Sequence, residues 1–90
     1  MKIVFEKDYL EQFYTDGKAK GKKYRYSKGV ISKYKQTIDK LRFANRIEDL
    51  FPFKSLNYEK LIGDKKGLES VRINQQYRIE FRISVEGEKL

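Results

Sequence analysis

The stretch LNYEKLIGDKKGLESVRINQQYRIEFR, Leu56–Arg82, decides the fold. Its apolar residues recur with a period of two. Val71 and Ile73 share one face of a strand over Leu68–Ile73, and Tyr77, Ile79, Phe81 and Ile83 share one face of a second over Tyr77–Val85. These faces are expected to be buried. A short turn at Asn74, Gln75 and Gln76 then pairs Ile73 with Tyr77 and Arg72 with Arg78, and it sends Ser70, Arg72, Arg78, Glu80 and Arg82 to the opposite, polar face. Like charges directly opposed across a strand pair destabilise it by up to about 1 kcal/mol, so the pair asks for an anion such as phosphate or carboxylate. The same spacing fits a solvated face on which Glu80 neutralises one arginine. Both readings stand at this point.

Upstream of this hairpin, Tyr58–Leu61 is a candidate strand and Gly63–Gly67 a loop; the loop lacks the spacing and the following helix of a phosphate cradle. Pro52 closes a helical half. There, a helix over Ser27–Ala44 is expected with Val30, Ile31, Tyr34, Ile38 and Leu41 as its core stripe, followed by one helical turn over Arg46–Phe51. Before it, Asp8 is placed to cap a helix whose apolar stripe is Tyr9, Leu10, Phe13 and Tyr14, ending near Asp16 and Gly17. Lys2–Phe5 reads as a short opening strand. Glu86 and Gly87 signal a further turn, after which the sequence holds too few residues for the antiparallel strand such a turn introduces. The expected architecture is α+β: an N-terminal strand and two helices packed on one face of a small twisted antiparallel sheet that lacks its last strand. One domain covers residues 1–90, since 90 residues suffice for a single modest core.

Composition narrows the chemistry. The chain has no cysteine and no histidine, which removes disulfides, thiolate or imidazole metal ligands and histidine acid–base catalysis from within these residues. No cofactor or metal is expected. The net charge of +8 points to a polyanionic or acidic partner. It is concentrated between Gly17 and Gln36, where every charged residue is basic: Lys18, Lys20, Lys22, Lys23, Arg25, Lys28, Lys33 and Lys35. Interleaved with Tyr24 and Tyr26, this run fits an RNA footprint; a solvated loop and helix face is the bland alternative. No apolar run is long enough to span a bilayer and residues 1–10 do not read as a secretory signal, so a cytoplasmic location without membrane contact is expected.

The residues Glu59, Leu61, Gly63, Asp64, Gly67, Ser70, Arg72, Ile73, Asn74, Tyr77, Arg78 and Phe81 form a pattern that resembles the RelE/ParE superfamily of bacterial toxins, most closely its HigB "killer" branch. The resemblance implies a toxin of a type II toxin–antitoxin system: a ribosome-dependent, metal-independent endoribonuclease that cuts translated mRNA and is neutralised by a HigA-like antitoxin. By that resemblance Glu59 is the candidate base for the ribose 2′-OH and Arg78 the ligand of the scissile phosphate. Arg72 joins them as a second phosphate donor, as much on the register as on the resemblance. Lys18, Lys20, Lys22, Lys23, Arg25, Lys28 and Arg82 are the candidate RNA-binding residues. Relatives carry a histidine or tyrosine on a final strand that this sequence does not reach, which implies weak or absent cleavage by this chain. Two other functions share the architecture: a ParE-like toxin that binds gyrase, and a degenerate toxin that binds only its antitoxin. The bland reading of Glu59 is a strand carboxylate paired with Lys60 or an arginine, and that of Tyr77 a hairpin-packing side chain.

Overall fold

The computed structural model describes residues 1–19, 21, 25–65 and 67–83. Helix α1, Asp8–Thr15, opens with Asp8 and Glu11 in its first turn, where carboxylates favour the positive end of the helix dipole. Asp8 is therefore inside the helix; the cap position is Lys7, and no side chain caps it. The helix stops where Asp16 and Gly17 both donate backbone N–H bonds to Gln12 O, and the φ of +76° at Gly17 is a conformation that glycine adopts without strain. Helix α2, Lys28–Phe43, starts on Ser27, whose hydroxyl accepts the Val30 N–H at 3.2 Å, and ends on Ala44. Its buried stripe is Tyr34, Thr37, Ile38 and Leu41, with Val30 and Ile31 half-buried at the first turns. Thr37 is tolerated there because its hydroxyl donates to Lys33 O at 2.7 Å. The Tyr34 hydroxyl donates to Leu10 O at 2.8 Å and so ties α2 to α1.

Three short antiparallel strands follow, β1 (Glu59–Lys60), β2 (Glu69–Arg72) and β3 (Arg78–Phe81), in the spatial order β1-β2-β3. The register is the expected one: Ile73 donates to Tyr77 O, and Arg72 lies opposite Arg78. Asn74 builds the turn, its side-chain oxygen accepting the N–H groups of Gln76 and Tyr77, both at 2.8 Å. Val71, fully buried, joins Phe13, Tyr34, Ile38, Leu41, Ala44, Leu50 and Leu56 in one core, with Ile73, Ile79 and Phe81 packed against it. Edge-to-face rings extend this core from α1 through the loop to the hairpin: Phe13 to Tyr26 at 5.4 Å and Tyr26 to Tyr77 at 5.3 Å between centroids.

Several expectations need correction. Residues 2–5 form no strand among the described residues. Their alternation is real, since Ile3 and Phe5 are half-buried and Val4 is exposed, but the buried side packs on the helices and needs no ladder. Just before them, the Met1 ammonium donates to Leu41, Arg42 and Ala44 carbonyls, which are left open at the negative end of α2. The turn over Arg46–Phe51 is a 3-10 turn at Ile47–Leu50, and the Gly63–Gly67 loop holds another at Gly63–Lys65. Ser70, assigned to the open polar face, is 1% exposed, whereas Ile83, assigned to the buried one, is 42% exposed. Lys20, Lys22, Lys23 and Tyr24 lie outside the described residues, as do Val85, the turn at Glu86 and Gly87, and the question of a last strand. Among the described residues no helix is long and apolar enough to cross a membrane.

Two outcomes follow from these contacts. Asn74→Ala removes the acceptor of both turn N–H groups and is expected to lower stability by about 1–2 kcal/mol in urea unfolding, with Gln75→Ala nearly neutral. Burial, and secondarily Tyr9, pushes the Tyr34 phenol up to about 12, against about 10 in an unfolded chain. The fold thus holds that proton more tightly than the unfolded chain does. The Tyr34 contribution is complete below about pH 10 and is lost as pH rises through about 12; alkaline unfolding compared between wild type and Tyr34→Phe measures it.

Candidate functional site

The strand ladder sets two rows on the polar side of the sheet. Glu59, Ser70 and Glu80 form one and Arg72 with Arg78 the next. Arg78 does not simply extend into solvent. Its guanidinium folds back over Ser70, Nε donating to Ser70 Oγ at 3.0 Å, and Nη2 donates to Asn57 O at 2.7 Å. Asn57 can offer that carbonyl because the chain turns there with φ 44° and ψ 56°, the left-handed region that asparagine tolerates better than most residues. Glu59 Oε2 lies 3.7 Å from Arg78 Nη2 as an ion pair rather than a hydrogen bond. Of the five guanidinium hydrogens, both on Nη1 and one on Nη2 are thus left without a hydrogen-bond acceptor among the described residues.

Arg72 is half-buried opposite this group, and its guanidinium makes no hydrogen bond or ion pair among the described residues. Glu80 neutralises neither arginine. Lys65 holds it instead, through Nζ contacts of 2.8 and 3.1 Å. The bland reading of the face therefore fails for Glu80 but describes Glu59, which does pair with a neighbouring arginine. Arg82 lies across Gly67: a Cβ on that glycine would stand 3.2 Å from Arg82 Nη1, and the backbone φ of +95° there also favours glycine. The structure thus brings Glu59, Arg72 and Arg78 together on one face. Lys18, Arg25 and Lys28 are exposed on the loop and the start of α2, and the Tyr26–Tyr77 contact joins this loop to the hairpin.

Two contributors, Asn57 and Glu69, escaped the sequence reading, and Ser70 stood in it without its role. Ser70 and the Asn57 carbonyl aim Arg78, and no motif advertises a backbone acceptor. Glu69 was detectable: the period that buries Val71 also buries position 69, and a carboxylate there needs a partner. That partner is Tyr58, whose hydroxyl donates to Glu69 Oε1. Burial first, and the bonded carboxylate next, push the Tyr58 phenol well above its ordinary range.

An opposed arginine pair with a carboxylate beside it is also where the sequence carries its family pattern. Residues 3–89 match the family model described as the RelE-like toxin of the type II toxin–antitoxin system HigB. The chain belongs to this family. No curated protein and no solved structure matches it. Membership implies a proteinaceous antitoxin as partner, and the α+β arrangement of two helices with a three-stranded antiparallel sheet agrees with the RelE-like fold.

The two partners of Arg78 differ in worth. Ser70→Ala leaves a guanidinium N–H without its buried acceptor and is expected to destabilise the toxin by about 1–3 kcal/mol. Glu59→Gln breaks only a half-exposed ion pair and should change stability by less than about 1 kcal/mol. Urea unfolding of both variants tests this ordering, which reverses if Glu59 is chiefly a structural partner.

Proposed function

We propose that the toxin is a cytoplasmic, ribosome-dependent mRNA endoribonuclease in which Arg78 and Arg72 bind the scissile phosphate and Glu59 is the base. The observation that carries this reading is the held guanidinium of Arg78, with three hydrogens unused among the described residues, beside an accessible carboxylate and opposite Arg72, which has no hydrogen-bond or ion-pair partner among those residues. In the reaction Glu59 takes the proton from the ribose 2′-OH and the 2′-oxygen attacks phosphorus. The bond to the 5′-oxygen breaks, leaving a 2′,3′-cyclic phosphate and a 5′-OH, the latter protonated by a group outside this trio. Charge gathers on the phosphoryl oxygens as the transition state forms. A planar guanidinium can meet two of them at once, and a second one opposite offsets the added charge.

The exposed Lys18, Arg25 and Lys28, with Lys20, Lys22 and Lys23 of the same run and Arg82 beside Gly67, form the ribosomal RNA footprint in this reading. Their contacts release counterions, so association with ribosomes weakens steeply with salt. A HigA-like antitoxin is the neutralising partner. The gyrase-binding alternative needs no arginine pair and has no observation in its favour.

Primer extension on an mRNA under translation, with purified ribosomes, tests the proposal. It is run on the protein as its gene encodes it. Cleavage should fall about 10²–10³-fold in Arg78→Ala and in Arg72→Ala, and about 10²–10⁴-fold in Glu59→Gln. Absence of cutting overturns the nuclease reading. Undiminished cutting by Glu59→Gln removes that residue from the role of base.

A further inference from the structure

The C-terminal end of α2 meets the segment after it in an apolar groove of about 300 Å³ lined by Asp39, Lys40, Phe43, Ala44, Asp49 and Phe53. Phe43 is 81% exposed and Phe53 45% exposed, in a chain whose residues are 38% charged. Two rings opening to water in one groove on so charged a surface form the kind of apolar patch that contact sites use.

The charges around the groove select what can fill it. Asp39 is engaged by the Tyr14 hydroxyl and lies 3.7 Å from Arg42. Asp49 accepts the backbone N–H groups of Asn45 at 2.9 Å and Arg46 at 3.3 Å. Both carboxylates are therefore committed within the fold. Lys40, whose ammonium sits 5.2 Å from the centre of the Phe53 ring, has no carboxylate partner among the described residues. The groove thus presents two rings and one available cation. RNA would find a single phosphate donor there, and a second copy of a chain with net charge +8 would bring like charge to like. An acidic protein segment with an apolar anchor meets both features.

We propose that the antitoxin docks in this groove, seating an apolar side chain between Phe43 and Phe53 and setting a carboxylate against Lys40. The inference rests on membership of the toxin family and not on the nuclease reading. It is read out by binding alone, so a chain that failed to cut mRNA would still report on it.

The protein encoded beside the toxin gene is titrated calorimetrically into wild-type toxin, Phe43→Asp, Lys40→Glu and, as a control, Ile62→Asp, a residue 87% exposed outside the groove. Phe43→Asp is expected to weaken binding by about 30-fold or more, as loss of an interface anchor does. Lys40→Glu should weaken it by about 10-fold and Ile62→Asp should leave it unchanged. Because Phe43 is so exposed, its thermal midpoint should match wild type, which separates lost docking from lost folding. Phe43→Asp binding as tightly as wild type, or weakened only through a lowered midpoint, overturns the proposal. So does failure of the neighbouring protein to bind wild-type toxin. A dimer in sedimentation that Phe43→Asp converts to monomer, with antitoxin affinity unchanged, assigns the groove to a second copy and overturns it likewise.

Discussion

Three consecutive residues of the central strand, Glu69, Ser70 and Val71, are buried, and much of the rest follows from that constraint. A strand alternates its side chains between two faces, so three buried in succession require both faces to be covered. The helices and the core cover one. On the other, among the described residues, the guanidinium of Arg78 lies over Ser70 and donates to its hydroxyl. The residue that looks like a functional extra on an open face is therefore also part of the roof of the central strand. On the core side, Glu69 is accommodated by one well-aimed phenol, since a carboxylate buried without a partner would cost several kcal/mol.

This double use explains how the opposed arginines are tolerated. Arg72 and Arg78 face each other across a single ladder step. The guanidinium of Arg78 is drawn toward Asn57 and Glu59, on the β1 side of the strand. One carboxylate therefore offsets part of the repulsion. The face stays cationic, because Glu80, the other acid on it, is occupied by Lys65.

The hairpin was legible in the sequence, down to the pairing of Arg72 with Arg78, because alternation and a short turn leave few registers. Helix α2 was legible for a similar reason: a long apolar stripe and a following break agree with one another. Lys2–Phe5 misled because alternation reports one-sided burial, and a segment can bury one side against helices with no strand beside it. Ser70 misled for the converse reason, since periodicity assigns a face and cannot say what lies over it. For the site, register joined Arg72 with Arg78 and set Ser70 on their face, and the family resemblance added Glu59, but the Asn57 carbonyl lies beyond any pattern of side-chain type. A backbone oxygen becomes an acceptor only through the local turn, and that turn is a tertiary outcome.

The ion pair between Glu59 and Arg78 takes its meaning from the difference between the contacts Arg78 makes. The bonds to Ser70 and Asn57 occupy Nε and one Nη2 hydrogen, so they fix the plane of the guanidinium while the Nη1 edge meets no acceptor among the described residues. Glu59 sits at 3.7 Å with its side chain 54% exposed, a pairing of the kind worth about 0–1 kcal/mol in water. Under the proposed reading, an incoming phosphate competes only with that weak partner. Its arrival leaves the orientation of Arg78 untouched and releases the carboxylate that would accept the 2′ proton. The strong contacts preorganise the donor and the weak one holds the base nearby, so a single anion can both fill the site and free its base.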